Sequence, residues 1–210
     1  MLFRSSCLPD LAPNVAEGLG DNCPAYYISW DDGHNLIAAL NAHIANTAQG
    51  PATFRLPSES EWEYACRAGT LTRFFFGDSL TGDDFNTDGP AGTLPGNRSD
   101  YMWFWFNCQG NENGARGTKP VGTKQPNQFG LFDVHGNVAE WCQDWYHVNY
   151  NGAPADGSPW ETLAPKWPYR VVRGGSWHSN ARNSRSACRD YVDPVSRPNT
   201  AGIRLARTAE

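Results

Sequence analysis

Apolar residues recur at helical spacing in two places along the chain. Leu36, Ile37, Leu40 and Ile44 mark one face of a segment predicted as a helix over residues 30–46. Ser29 stands where an N-cap belongs, and Asp31 and Asp32 fall in the first turn, where unpaired backbone N–H groups favour acids. Gly50-Pro51 closes the segment. A second helix is predicted within RLPSESEWEYACRAGT, residues 55–70. Ser58 and Glu61 have the spacing of a capping box, Trp62, Ala65 and Cys66 would face inward, and Gly69 is a natural stop. Elsewhere the apolar runs are short. Residues 23–30 read as a strand leading into the first helix, and 74–78 as a short buried strand or turn. Residues 79–117, rich in Gly, Asp and Asn around an aromatic knot at 101–106, need a pin such as a metal or a dense hydrogen-bond network. Few regular elements and many turns predict an α+β domain.

Composition sharpens this picture. A chain of 210 residues forms one domain, and nine Trp with 21 Gly and 15 Pro place the core on large rings within a turn-rich body. A charged fraction of only 19% argues against disorder. None of the six cysteines forms a CxxC pair, so a zinc motif has no support, and Cys66 and Cys142 are expected to be buried thiols. No apolar run is long enough to predict a membrane span, and residues 1–13 lack the sustained apolar stretch of a secretory signal, so a cytoplasmic location and no membrane partner are expected. The net charge of −5 is uneven: residues 170–207 hold eight of the 14 arginines. Interleaved with Gly, Ser and Asn, these arginines read as pins for an irregular segment rather than as a nucleic-acid surface.

Five blocks then occur in order: RLPSESEWEYACRAGT, KPVG, PNQFGLFDVHGNVAEWC, RVVRGGSW and GIRLAR. Together they resemble the formylglycine-generating enzyme family, the sulfatase-modifying-factor domains, over residues 23–207. Residues 1–22 do not resemble the family's N-terminal strand region and are read as an extension or remnant. The resemblance implies a variant of the C-type-lectin-like fold, with two flanking helices, small twisted sheets and long ordered loops. It also implies chemistry that this chain departs from. The formylglycine-generating oxidases hold copper(I) through two cysteines beyond the Gly-Gly-Ser turn, and the matching positions are Ser179 and Ser184. A hydroxyl is no soft ligand for a monovalent metal, so copper is not expected. Cys188 is nearby but four residues out of register.

Two further expectations follow. Asp133, Gly136, Asn137 and Glu140 offer oxygen donors on one tight turn, which suits a structural calcium ion, and the resembled family carries calcium in this segment. The plain alternative is a hydrogen-bonded turn. The segment after Gly-Gly-Ser-Trp also resembles the variable proteins of diversity-generating retroelements, whose RGGSW segment runs through polar positions to a closing GFRL. That resemblance implies a binding face at His178, Ser179, Asn180, Cys188, Asp190, Tyr191, Val192, Val195, Ser196, Asn199 and Thr200, for an unknown protein or small-molecule ligand. The competing expectation is an active enzyme of the family, either an oxidase acting on sulfatase cysteines or a divergent oxidoreductase.

Overall fold

The computed structural model describes residues 22–45, 53–80, 87–110, 116–162 and 168–208. The first helix, α1, spans Trp30–Ala45. Ser29 caps it as its spacing predicts: its Oγ accepts the Asp32 N–H at 3.0 Å, and its own N–H donates to Asp32 Oδ2 at 2.9 Å. The second helix, α2, spans Glu59–Arg67. Its capping box is closed in both directions, with Glu61 N–H donating to Ser58 Oγ and Ser58 N–H to Glu61 Oε2. Beyond it, Ala68 already takes the left-handed conformation (φ 47°), ahead of Gly69. Residues 23–30 form no strand; they make a single bridge, Tyr26 to Gly202, and the backbone N–H groups of Tyr27 and Trp30 donate to the Pro198 and Pro194 carbonyls, loop groups that offer no ladder.

Six short strands complete the described fold: β1 (Thr53–Arg55), β2 (Ala139–Trp145), β3 (Arg170–Arg173), β4 (Arg189–Val192), β5 (Ala201–Gly202) and β6 (Ala206–Thr208). β1 and β6 pair antiparallel, and the other four form a mixed sheet in the order β4-β3-β2-β5, with β5 parallel to β2. Alternation along these strands divides the core in two. Cys142 of β2 and Val171 of β3 face α2, where Trp62 and Cys66 meet Phe74, Phe75, Phe76, Met102 and Phe104. Trp141 and Val172, the next residue in each strand or the one before, face α1 and pack with Ile37 and Ala201. The sheet is thus covered by one helix on each face, an α+β arrangement. Trp141 and Trp177 both lie in the interior.

The long irregular stretch is pinned by polar groups. Asp88 accepts from Ser99, the Asp100 carboxylate accepts the Asn97 N–H, and buried Asn107 bonds the backbone of Met102 and Phe104. Gly77 sits where the turn closes on this stretch: an added Cβ would lie 2.3 Å from the Thr93 nitrogen. The C-terminal arginines act as pins too. Arg173 pairs with Glu59 and Glu63, Arg189 with Glu59, Arg197 with Asp32, Arg204 with Glu140 and Arg170 with Glu161. Arg170 is also clasped between Trp30 and Trp145, at 3.8 and 3.4 Å from the ring centres.

Candidate functional site

A polar cleft of about 390 Å³ opens on the α1 face of the sheet, beside the loop that follows β3. Val172, Val192 and Ala201 supply its apolar floor, while Ser176, Ser179, Asn183, Asp190 and Thr200 line it with hydroxyl, amide and carboxylate groups. The loop is built on the Gly174-Gly175 pair, both at positive φ. Gly175 admits no side chain, because a Cβ there would lie 2.5 Å from Ser184 Oγ. At the rim His178 stands between two indoles, with ring centres 4.9 Å from Trp105 and 5.2 Å from Trp177.

Ser179 and Ser184, which the resemblance matches to thiols, are both engaged by the fold. Ser184 has no exposed surface, and its hydroxyl donates to the Asn180 carbonyl at 3.3 Å. Ser179 Oγ accepts the Ser176 N–H at 3.0 Å and lies 3.2 Å from Ser176 Oγ. Cys188 does line the cleft, but burial pushes its thiol above the ordinary range, which reduces the thiolate available to a soft metal.

Of the eleven binding positions expected from the sequence, the cleft gathers His178, Ser179, Cys188, Asp190, Val192 and Thr200. Tyr191 is excluded from this group. Strand alternation turns it to the opposite face, where its ring lies 4.4 Å from Tyr146 and 5.0 Å from Tyr169. Asn180 is a cap: its side chain accepts the Asn183 N–H at the start of a single 3₁₀ turn. The Asn199 carbonyl anchors the Trp177 indole, and Val195 and Ser196 are exposed beyond the cleft lining. Reading the segment as a row of equivalent loop positions missed that β4 runs through it. It also missed Ser176 and Asn183, whose signal was only their proximity to the Gly-Gly turn.

The turn expected to bind calcium is partly committed to other partners. The Asn137 amide is closed on the backbone of Lys119 in both directions, at 3.0 and 3.1 Å, so its side chain is no metal donor. Glu140 accepts from Arg204 through both oxygens and from the Trp62 indole N–H at 2.7 Å. Asp133 differs. Its Oδ2 accepts the Gly122 N–H at 2.7 Å, while Oδ1 is buried without a hydrogen-bond partner. Burial raises the Asp133 pKa, and the nearby Glu140 charge adds to the rise. Both carboxylates line a second cavity of about 460 Å³. An orphaned carboxylate oxygen, on a cavity that a second carboxylate also lines, fits a hard cation; the Asn137 amide does not belong to that set. Among the described residues no three His, Cys, Asp or Glu side chains gather closely enough to ligate a metal together.

His135, unremarked in the sequence, holds the site from behind. It is fully buried. Its Nδ1–H donates to the Ser184 carbonyl at 2.7 Å and its Nε2 accepts the Phe75 N–H at 3.2 Å, which fixes a single neutral tautomer. The turn carrying Ser184 is thereby tied to the aromatic core.

Comparison with known proteins adds the following. The sequence profile of the sulfatase-modifying factor enzyme 1-like domain matches residues 8–209. A formylglycine-generating enzyme of Streptomyces coelicolor is 34% identical over 197 residues, covering 90% of this chain and 54% of the relative. The chain thus spans about half the length of that relative. Among solved structures, PvdO from Pseudomonas aeruginosa superposes with a TM-score of 0.72 at 32% identity, covering 91% of this chain and 64% of PvdO. Treponema denticola variable protein 1 superposes with a TM-score of 0.62 at 24% identity, over 94% of this chain and 75% of that protein, a likeness of fold alone. No helix among the described residues is long and apolar enough to cross a membrane.

Proposed function

Because the chain belongs to the sulfatase-modifying factor enzyme 1-like family, we propose that it is a domain of that family without copper oxidase chemistry, acting as a binding module through the cleft on the α1 face of its sheet. The observation that carries this reading is the state of the two serines. Both stand where the resembled oxidases place thiols, and both hydroxyls are engaged in the loop, one with no exposure at all. An alcohol cannot offer the soft anionic sulfur that copper(I) requires. The residues present therefore do not fit copper, and no step is assigned to it. What remains is a concave cleft in which several polar groups converge over an apolar floor, and convergent polar groups in a concavity are what orient a small ligand.

Anaerobic titration with copper(I) against a chromogenic chelator tests this. The chain is expected to leave the metal with the chelator, whereas the double variant Ser179→Cys/Ser184→Cys gains affinity. Retention of copper by the unaltered chain, or its conversion of a cysteine peptide to an aldehyde, would return the domain to the oxidases.

We also propose a structural calcium ion held by Asp133 and Glu140, supported by the orphaned Asp133 oxygen. Bound calcium would neutralise the Asp133 carboxylate, whose ionised form burial disfavours. In hundredfold excess over its dissociation constant it would add roughly 2.7 kcal/mol, or about 5–10 °C in Tm for a chain of this size. Thermal unfolding in calcium and in chelator is the measurement. Asp133→Asn should erase the difference between them, and equal melting of the unaltered chain in both conditions would refute the ion.

A further inference from the structure

Resting on the reading of the cleft as a binding site, we infer that it selects ligands carrying an ammonium or guanidinium group, with Asp190 as the counter-charge. Strand alternation provides the argument. Arg189 and Asp190 are neighbours in β4, so their side chains leave the sheet on opposite faces. Arg189 goes to the α2 face, where its guanidinium closes on both oxygens of Glu59 at 2.6 and 2.7 Å and on the His147 carbonyl. It is not available to neutralise Asp190. Asp190 lines the cleft on the α1 face, and among the described residues its side chain makes a local hydrogen bond, Oδ1 accepting the Tyr191 N–H at 2.8 Å. Among the described residues no lysine or arginine forms an ion pair with Asp190. The closest other cation by sequence, Arg185, is turned back, with its Nε on the Arg182 carbonyl at 2.7 Å.

Arg189 is also a lining residue, but its guanidinium is held on Glu59 across the sheet, and the remaining lining agrees with this charge. Ser176, Ser179, Asn183 and Thr200 are neutral groups that can accept from a polyprotic cation. At the rim a cation of the chain itself is already in place. The Arg116 guanidinium already lies over the indoles of both Trp105 and Trp177, at 5.9 and 5.4 Å from their ring centres. These are the two rings that flank His178, itself part of the cleft lining. Arg116 thus occupies these aromatic faces, as the ring quadrupole favours, and a ligand cation would reach them only by displacing it. The Asp190 carboxylate favours positive charge in the cleft, and an anionic ligand would meet it without a paired counter-charge.

Amide chemical shifts of the isotope-labelled chain, read during titration with three probes, test the inference. The probes are agmatine as the cation, glucose as a neutral polyol and glutarate as the anion. Agmatine is expected to shift the amides of Ser179, Asp190 and Thr200 saturably, with glutarate leaving them in place. Asp190→Asn should weaken agmatine binding about tenfold or more, while Asp193→Asn, on an exposed turn outside the cleft, leaves it unchanged. If glucose or glutarate shifts the cleft amides and agmatine does not, the binding-site reading stands and the charge selection falls. Agmatine binding of equal strength in Asp190→Asn also overturns the charge selection. If no probe moves the cleft amides, both fail together.

Discussion

His135 illustrates how much one side chain contributes to the site. Burial depresses its pKa to about 4 from an ordinary value of 6.5. The neutral ring is required, because Nε2 must accept from Phe75 while Nδ1 donates to Ser184. In the unfolded chain this histidine takes up a proton as pH falls through 6.5, whereas the folded chain refuses it until about pH 4. The unfolded state therefore binds more protons in that window, and stability falls on acidification. The loss approaches roughly 3 kcal/mol by the bottom of the window. Urea unfolding at pH 7 and pH 4.5 checks this. A His135→Gln variant should be less stable at pH 7, and its deficit should shrink by roughly 2–3 kcal/mol at pH 4.5. A deficit independent of pH would place the ring's contribution in packing alone.

At the scale of an element, α2 is the piece whose sequence and structure agree most closely. Its capping box satisfies the Ser58 and Glu61 N–H groups reciprocally, and the Ser58 hydroxyl also donates to the Gly157 carbonyl at 2.7 Å. The cap thus fastens the helix start to a distant loop as well as stopping it from fraying. Ser58→Ala is expected to cost about 2 kcal/mol, near the top of the range for such caps, because Ser58 is fully buried and the Gly157 carbonyl loses its donor. Equilibrium denaturation gives the number, and a cost within error of zero would mean that water replaces the hydroxyl. β4 is the contrasting element. Its four residues look like loop in the sequence because their polar and charged character hides the alternation. Only the pairing with β3 separates Asp190 from Tyr191.

For the whole molecule, the central tie is Glu59. From the first turn of α2 its carboxylate reaches Arg189 of β4, Arg173 of β3 and the Tyr150 hydroxyl. The Arg173 side chain has no exposed surface, and Glu63 is its second carboxylate. Glu59→Gln would leave Arg189 without its counter-charge and Arg173 with one partner in place of two. The expected loss is about 3–5 kcal/mol, the range for breaking a buried pair from one side, measurable as a lowered denaturant midpoint with unchanged slope. A loss below about 1 kcal/mol would show that Glu63 and the backbone acceptors suffice. The same network accounts for the basic C-terminal segment. Five of its eight arginines are paired with acids from elsewhere in the chain, as the interleaved Gly, Ser and Asn implied.

The sequence by itself determined the two helices with their caps, the aromatic core, the arginine pins and the family, since each rests on local spacing or on ordered blocks of residues. It also placed Ser179 and Ser184 at the positions that the resemblance matches to the oxidases' thiols. Only the tertiary structure decided which of the polar residues after Gly-Gly-Ser-Trp share a cleft. That depends on a strand whose partner lies 16 or more residues upstream, and on a glycine pair that lets the loop fold back onto Ser184. It alone closed Asn137 on Lys119 and left Asp133 with an unmatched oxygen, because hydrogen-bond partners are set by where distant backbone arrives and not by the spacing of the side chains that await it.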